Sequence, residues 1–103
     1  MTNRSIKRGL EPMHPGELLR EEVLPALRRP KTEIAELLGV SRQTLYDILR
    51  EKKPVTPDMA LRIGKLCGNG PDLWLTLQTR YDLARSQKRL DAKIRRIPTL
   101  QVA

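Results

Sequence analysis

Between Ser41 and Lys53 the chain sets out side chains suited to the edges of a nucleic-acid duplex. Arginine can pair with guanine O6 and N7, glutamine with adenine N6 and N7, and a threonine methyl can meet the methyl of thymine. Arg42, Gln43 and Thr44 stand in succession, followed by Tyr46, Asp47 and Arg50. On a helix turning about 100° per residue, with Leu45 and Ile48 facing a core, Gln43, Asp47 and Arg50 lie nearly opposite. Thr44 and Tyr46 flank that outer face, and Arg42 lies at its N-terminal edge. These six are the base-reading candidates. Asp47 would repel phosphate, so it is expected to orient Arg50 or Arg42, or to accept from a cytosine amino group. Lys31 before this stretch and Lys52 and Lys53 after it are placed to hold phosphate on either side of a groove, and Ser41 joins them as a phosphate candidate.

Taken alone, such a face reads as solvated surface. The residues before it change that. Ala35 precedes Gly39 by four positions, Val40, Leu45 and Ile48 follow, and Ile34 and Leu38 share the facing side. Two short helices meeting at about 90–120° need a small residue at their contact and an unhindered backbone at the turn. Ala35 meets the first need and Gly39 the second, since glycine reaches positive φ without steric penalty. The spacing predicts a helix over 31–38, a turn, and a second helix over 42–50 capped by the Ser41 hydroxyl. This is the arrangement of a helix-turn-helix.

The remaining elements must hold that pair. A first helix is expected to open at His14-Pro15-Gly16-Glu17, with proline tolerated at the first position and Glu17 favoured by the helix dipole. Leu19, Val23 and Leu27 form its apolar stripe, widened by Leu18 and Leu24, and Pro25 should kink or end it near Leu24. After a loop over 51–55, Thr56, Pro57 and Asp58 open a fourth helix burying Ala60, Ile63, Leu66 and Cys67, with Met59 beside them. Gly68-Asn69-Gly70 stops it. Pro71 and Asp72 open a fifth, in which Leu73, Trp74, Leu77, Tyr81 and Ala84 should pack inward. Beyond Ala84 basic residues take over, though Leu83, Leu90 and Ile97 recur seven apart. Pro98 should end this helix.

The chain divides into a flexible basic arm over 1–13, a DNA-binding domain over 14–84 and a basic helical extension and tail over 85–103. With 103 residues and a formal charge of +8, one small domain is expected and a polyanionic partner is favoured, though charge alone does not select DNA. At 3% aromatic residues it lacks the exposed rings of a single-strand stacking platform. Cys67 is the sole cysteine, which excludes an intrachain disulfide and a cysteine metal cluster and reads as a small core residue. His14 is the sole histidine; capping or packing suits it better than general-base catalysis. No cofactor is expected and an enzyme is disfavoured. Neither a secretory signal nor a membrane span is visible, so a cytoplasmic location is expected.

Four blocks carry a family pattern: His14-Pro15-Gly16-Glu17-Leu18-Leu19-Arg20-Glu21-Glu22, Leu38-Gly39-Val40-Ser41-Arg42-Gln43-Thr44-Leu45, Thr56-Pro57-Asp58-Met59-Ala60-Leu61-Arg62, and Leu73-Trp74-Leu75-Thr76-Leu77-Gln78 followed by Tyr81-Asp82-Leu83. In order and spacing they resemble HigA-type antitoxins of the XRE-like helix-turn-helix family. The resemblance implies an all-α, five-helix fold of the XRE or lambda-repressor type, here with an extended C-terminal helix. It implies a homodimer on a palindromic operator in its own promoter, and a HigB-type ribonuclease toxin neutralised by binding. It also places base reading at Arg42, Gln43, Thr44, Tyr46 and Asp47. The chain departs from the pattern at Arg28-Arg29-Pro30, where relatives carry a Gly-Leu-Ser-like turn. A stand-alone regulator without a toxin is the first alternative, and a basic RNA-binding module the second.

Overall fold

The computed structural model describes residues 11–102, all helix and connecting segments. The expected arm over 1–13 therefore lies mostly outside the described residues. Helix α1 begins over Pro15–Leu18, widens into a π-helical turn over Leu19–Val23 and returns to α over Leu24–Leu27. It is followed by α2 (Lys31–Leu38), α3 (Arg42–Leu49), α4 (Pro57–Cys67) and α5 (Asp72–Arg95). None of these helices is long and apolar enough to cross a membrane.

His14 caps α1: its Nδ1 accepts the Gly16 N–H at 2.9 Å, and its ring meets Tyr81 edge-on at 4.9 Å. The capping and packing expected of it are both present. A helical distortion is present just upstream of Pro25, but the expected end near Leu24 is not. The proline does not break the helix, because the turn before it is wide. A proline lacks an N–H and its ring crowds the carbonyl four residues back. Here the Leu24 N–H bonds to Leu19 O, five residues back, and the helix runs on to Leu27.

The core gathers Leu19 and Leu24 of α1, Ile34, Ala35 and Leu38 of α2, and Leu45, Ile48 and Leu49 of α3. Val55, Met59, Ala60, Ile63 and Trp74 complete it. Gly64 is buried on α4, whereas Leu66 and Cys67 are half-buried and pack on the core edge. Burial pushes the Cys67 thiol pKa up, away from reactivity. Leu73, expected inside, is exposed, while Trp74 beside it is fully buried and Leu75 and Leu77 pack on the core edge. Helix α5 ends before Pro98 as expected, and Leu83 and Ile97 of its heptad series lie open to solvent.

Burial lowers the pKa of His14 below its ordinary 6.5, although Glu51, Asp82 and a hydrogen bond to the Lys53 backbone pull it upward. The unfolded chain therefore binds more protons than the folded one as pH falls below 6.5. The stability contributed by the neutral ring is complete above that value and declines as pH drops through the lowered pKa. Denaturant titrations at pH 7 and pH 5 should show a smaller loss for His14→Asn, which caps without titrating; an equal loss would remove His14 from the pH response.

Candidate nucleic-acid interface

The turn between α2 and α3 is built as the spacing predicts. Gly39 lies at φ 75°; its N–H reaches Glu36 O, and the Val40 N–H reaches Ala35 O. This paired closure needs a left-handed residue, which glycine supplies. A side chain at Gly39 would also strike the Arg62 guanidinium, 2.8 Å from an added Cβ. That guanidinium crosses from α4 to bond Leu38 O at 2.8 Å and Gly39 O at 3.3 Å, while Asp58 holds its Nε at 3.0 Å. Arg62 thus satisfies the free carbonyls at the end of α2 and ties the turn to α4.

Helix α3 is fixed at both ends. Ser41 caps its start, its Oγ accepting the Thr44 N–H at 3.0 Å and donating to Thr44 Oγ1 at 2.9 Å. At its end the Glu51 N–H reaches Ile48 O and the Lys52 N–H reaches Asp47 O, with Glu51 at φ 63°. The Arg20 guanidinium of α1 donates to Leu49 O at 2.6 Å and to the Glu51 carboxylate at 3.3 Å. A cation there opposes the negative end of the α3 dipole. The following loop is anchored to α5 by Gln78, which is buried; its Oε1 accepts the Val55 N–H at 2.7 Å and its Nε2 donates to Asp82 at 3.0 Å.

Leu45, Ile48 and Leu49 face the core, leaving Arg42, Gln43 and Arg50 exposed and Thr44, Tyr46 and Asp47 half-buried. Ser41, Lys31, Lys52 and Lys53 are exposed as well. Arg50 lies over the Tyr46 ring, 5.9 Å from its centre. One open cleft brings Lys31, Tyr46 and Arg50 together with Arg20. A second, on the other flank of α3, brings Thr44 and Lys53 together with Arg62. Cations therefore line both sides of the helix that carries the exposed polar face.

Asp47 is a correction. It orients neither Arg50 nor Arg42. Its Oδ1 accepts Gln43 Nε2 at 2.8 Å and its Oδ2 lies 3.5 Å from Lys53 Nζ. The reason is helical spacing: Gln43 is one turn away on the same side, and the closure after Arg50 folds Lys53 back over that turn. Arg20, Arg62 and Gln78 carry no role in the sequence analysis above, yet they position the pair. Arg62 and Gln78 each stand four residues from an aspartate, which is the trace they leave in the sequence.

The helix-turn-helix family model matches residues 19–74, from the middle of α1 to the first turn of α5. This chain belongs to that family, in its XRE-like, HigA-type branch. Virulence-associated protein I of Dichelobacter nodosus is 37% identical over 82 residues, 80% of this chain and 76% of that protein. The structure of Pseudomonas aeruginosa antitoxin HigA with the higBA promoter is 35% identical, with a TM-score of 0.82, over 88% of this chain and 100% of that one. Antitoxin GraA in complex with its operator is 37% identical, with a TM-score of 0.81, over 91% and 95% of the two chains. The HigA-type fold confirms the all-α, helix-turn-helix class expected from the four sequence blocks.

Proposed function

We propose that the chain is an operator-binding antitoxin: as a homodimer it represses its own promoter, and it neutralises a HigB-type ribonuclease by binding. The observation that carries the DNA half is α3 itself, capped at both ends, open along Arg42, Gln43 and Arg50, and bordered by cationic clefts on both flanks. Each subunit would lay α3 in a major groove, and two-fold symmetry would set half-sites about 34–36 Å apart. Arg42, Gln43, Thr44, Tyr46 and Arg50 form the base-facing set in this account, with Asp47 behind Gln43, and Lys31, Ser41, Lys52 and Lys53 the phosphate set. The antitoxin half is supported by similarity to HigA and GraA.

A titration with the chain's own promoter, a random duplex and a structured RNA tests the first half. The promoter should bind far more tightly than either competitor, with a slope in log salt of about −0.9 per phosphate neutralised. Equal binding of RNA would favour the basic RNA-binding module. Coexpression with the neighbouring gene product followed by pull-down tests the second half. Promoter binding without a captured toxin would leave a stand-alone regulator.

Arg42→Ala or Gln43→Ala should cost about 1–3 kcal/mol on the operator and relax base preference at one position. Lys53→Ala should instead weaken every duplex alike and reduce the salt slope by about one. Competition titrations on substituted operators separate the two patterns, and equal losses on operator and random DNA for Arg42 and Gln43 would remove them from base reading.

A further inference from the structure

We propose that Asp47 is a positioning residue that presets the Gln43 carboxamide for adenine, setting base preference without itself touching a base. This rests on the base-reading role proposed for Gln43.

An ionised aspartate offers acceptors only. It therefore draws the nitrogen of the Gln43 amide toward itself and turns the oxygen away. The 2.8 Å contact from Gln43 Nε2 to Asp47 Oδ1 has that sense. One of the two Nε2 hydrogens is then occupied. The other hydrogen and Oε1 remain at the exposed end, one donor beside one acceptor in fixed order. Adenine presents the complement, N7 as acceptor and the N6 amino group as donor. Without the aspartate the amide would present either order, and its order would be chosen by the base.

Asp47 is itself held. Its side chain is only 15% exposed, its backbone oxygen accepts from the Lys52 and Lys53 N–H groups, and its Oδ2 faces Lys53 Nζ at 3.5 Å. The lysine offsets a negative charge that would otherwise oppose phosphate. One carboxylate thus orders a base-facing amide and restrains a phosphate-facing ammonium.

The test uses the full-length protein and its own promoter operator, with each base pair replaced singly. The pair whose replacement no longer matters in Gln43→Ala is the Gln43 pair. Wild type should favour A·T there by about tenfold, Gln43→Ala and Asp47→Ala by no more than about twofold, and Asp47→Asn by an intermediate ratio, since asparagine can present either atom. If instead Asp47→Ala and Asp47→Asn both keep the wild-type ratio while binding random DNA more tightly, Asp47 acts through charge alone and the proposal fails. If Gln43→Ala changes no base preference, the base-reading role of Gln43 fails first. Should Asp47→Ala not fold, the isosteric Asp47→Asn and relaxation of the free wild-type protein carry the test. The Gln43 side-chain amide should be as ordered as the helix backbone, whereas exposed Gln87 should fall below an order parameter of about 0.6; equal mobility of the two overturns the proposal.

Discussion

Gly16→Ala is expected to destabilise the domain by about 3 kcal/mol, the upper end of ordinary overpacking. A Cβ on Gly16 would lie 1.9 Å from Ile48 O and 3.0 Å from His14 Nδ1. The first obstacle is backbone and cannot swing aside. Ile48 O is also committed, since it accepts the Glu51 N–H at 2.9 Å in the closure that ends α3. Moving it would loosen that closure and shift α3 against α1. The second obstacle is the histidine nitrogen that caps α1. The damage at Ile48 O reaches the helix of the proposed DNA face, so operator affinity should fall more than affinity for random duplex. Urea denaturation and paired titrations check this; an unchanged denaturation midpoint would mean that α1 and α3 are not locked at Gly16.

Trp74→Ala should cost about 3–5 kcal/mol, the range for deleting a buried large aromatic side chain. Trp74 is fully buried, 0% exposed, and its indole N–H donates to Asn69 Oδ1 at 3.2 Å. It seals the start of α5 onto the core and fixes the turn after α4. Against a typical domain stability of about 5–15 kcal/mol, such a loss leaves little margin at 37 °C. Trp74→Phe keeps most of the volume and loses the hydrogen bond, for a smaller cost of about 1–2 kcal/mol. Thermal and denaturant unfolding should rank wild type, Trp74→Phe and Trp74→Ala in that order. A Trp74→Ala variant as stable as Trp74→Phe would mean that the cavity collapses.

The helix-turn-helix was legible because its demands are local. Ala35, Gly39 and the apolar residues after it must recur at set distances, and a hydroxyl must precede α3. Those features sit within one stretch of chain and appear there as predicted. The parts that escaped depend on long-range partners or on backbone phase. Nothing adjacent to Arg62 announces that it reaches Leu38 O, twenty-four positions earlier. Gln78 looks like surface until Val55 needs an acceptor. The contact of Asp47 with Lys53 depended on a chain reversal through a left-handed glutamate, a conformation to which glycine or asparagine would have pointed more plainly. Leu73 and Trp74 are neighbours on one apolar stretch, and only the direction of α5 decides which one is inside.

Leu19 and Leu24 both enter the core although they stand five positions apart, a spacing matched to the π-helical turn between them. That turn accommodates one residue more than an α-helix would use over the same path. A homologue lacking a single residue there can follow the same trajectory as an unbroken α-helix. Superposition of the two would show a one-position gap inside a helix, with both flanks in register.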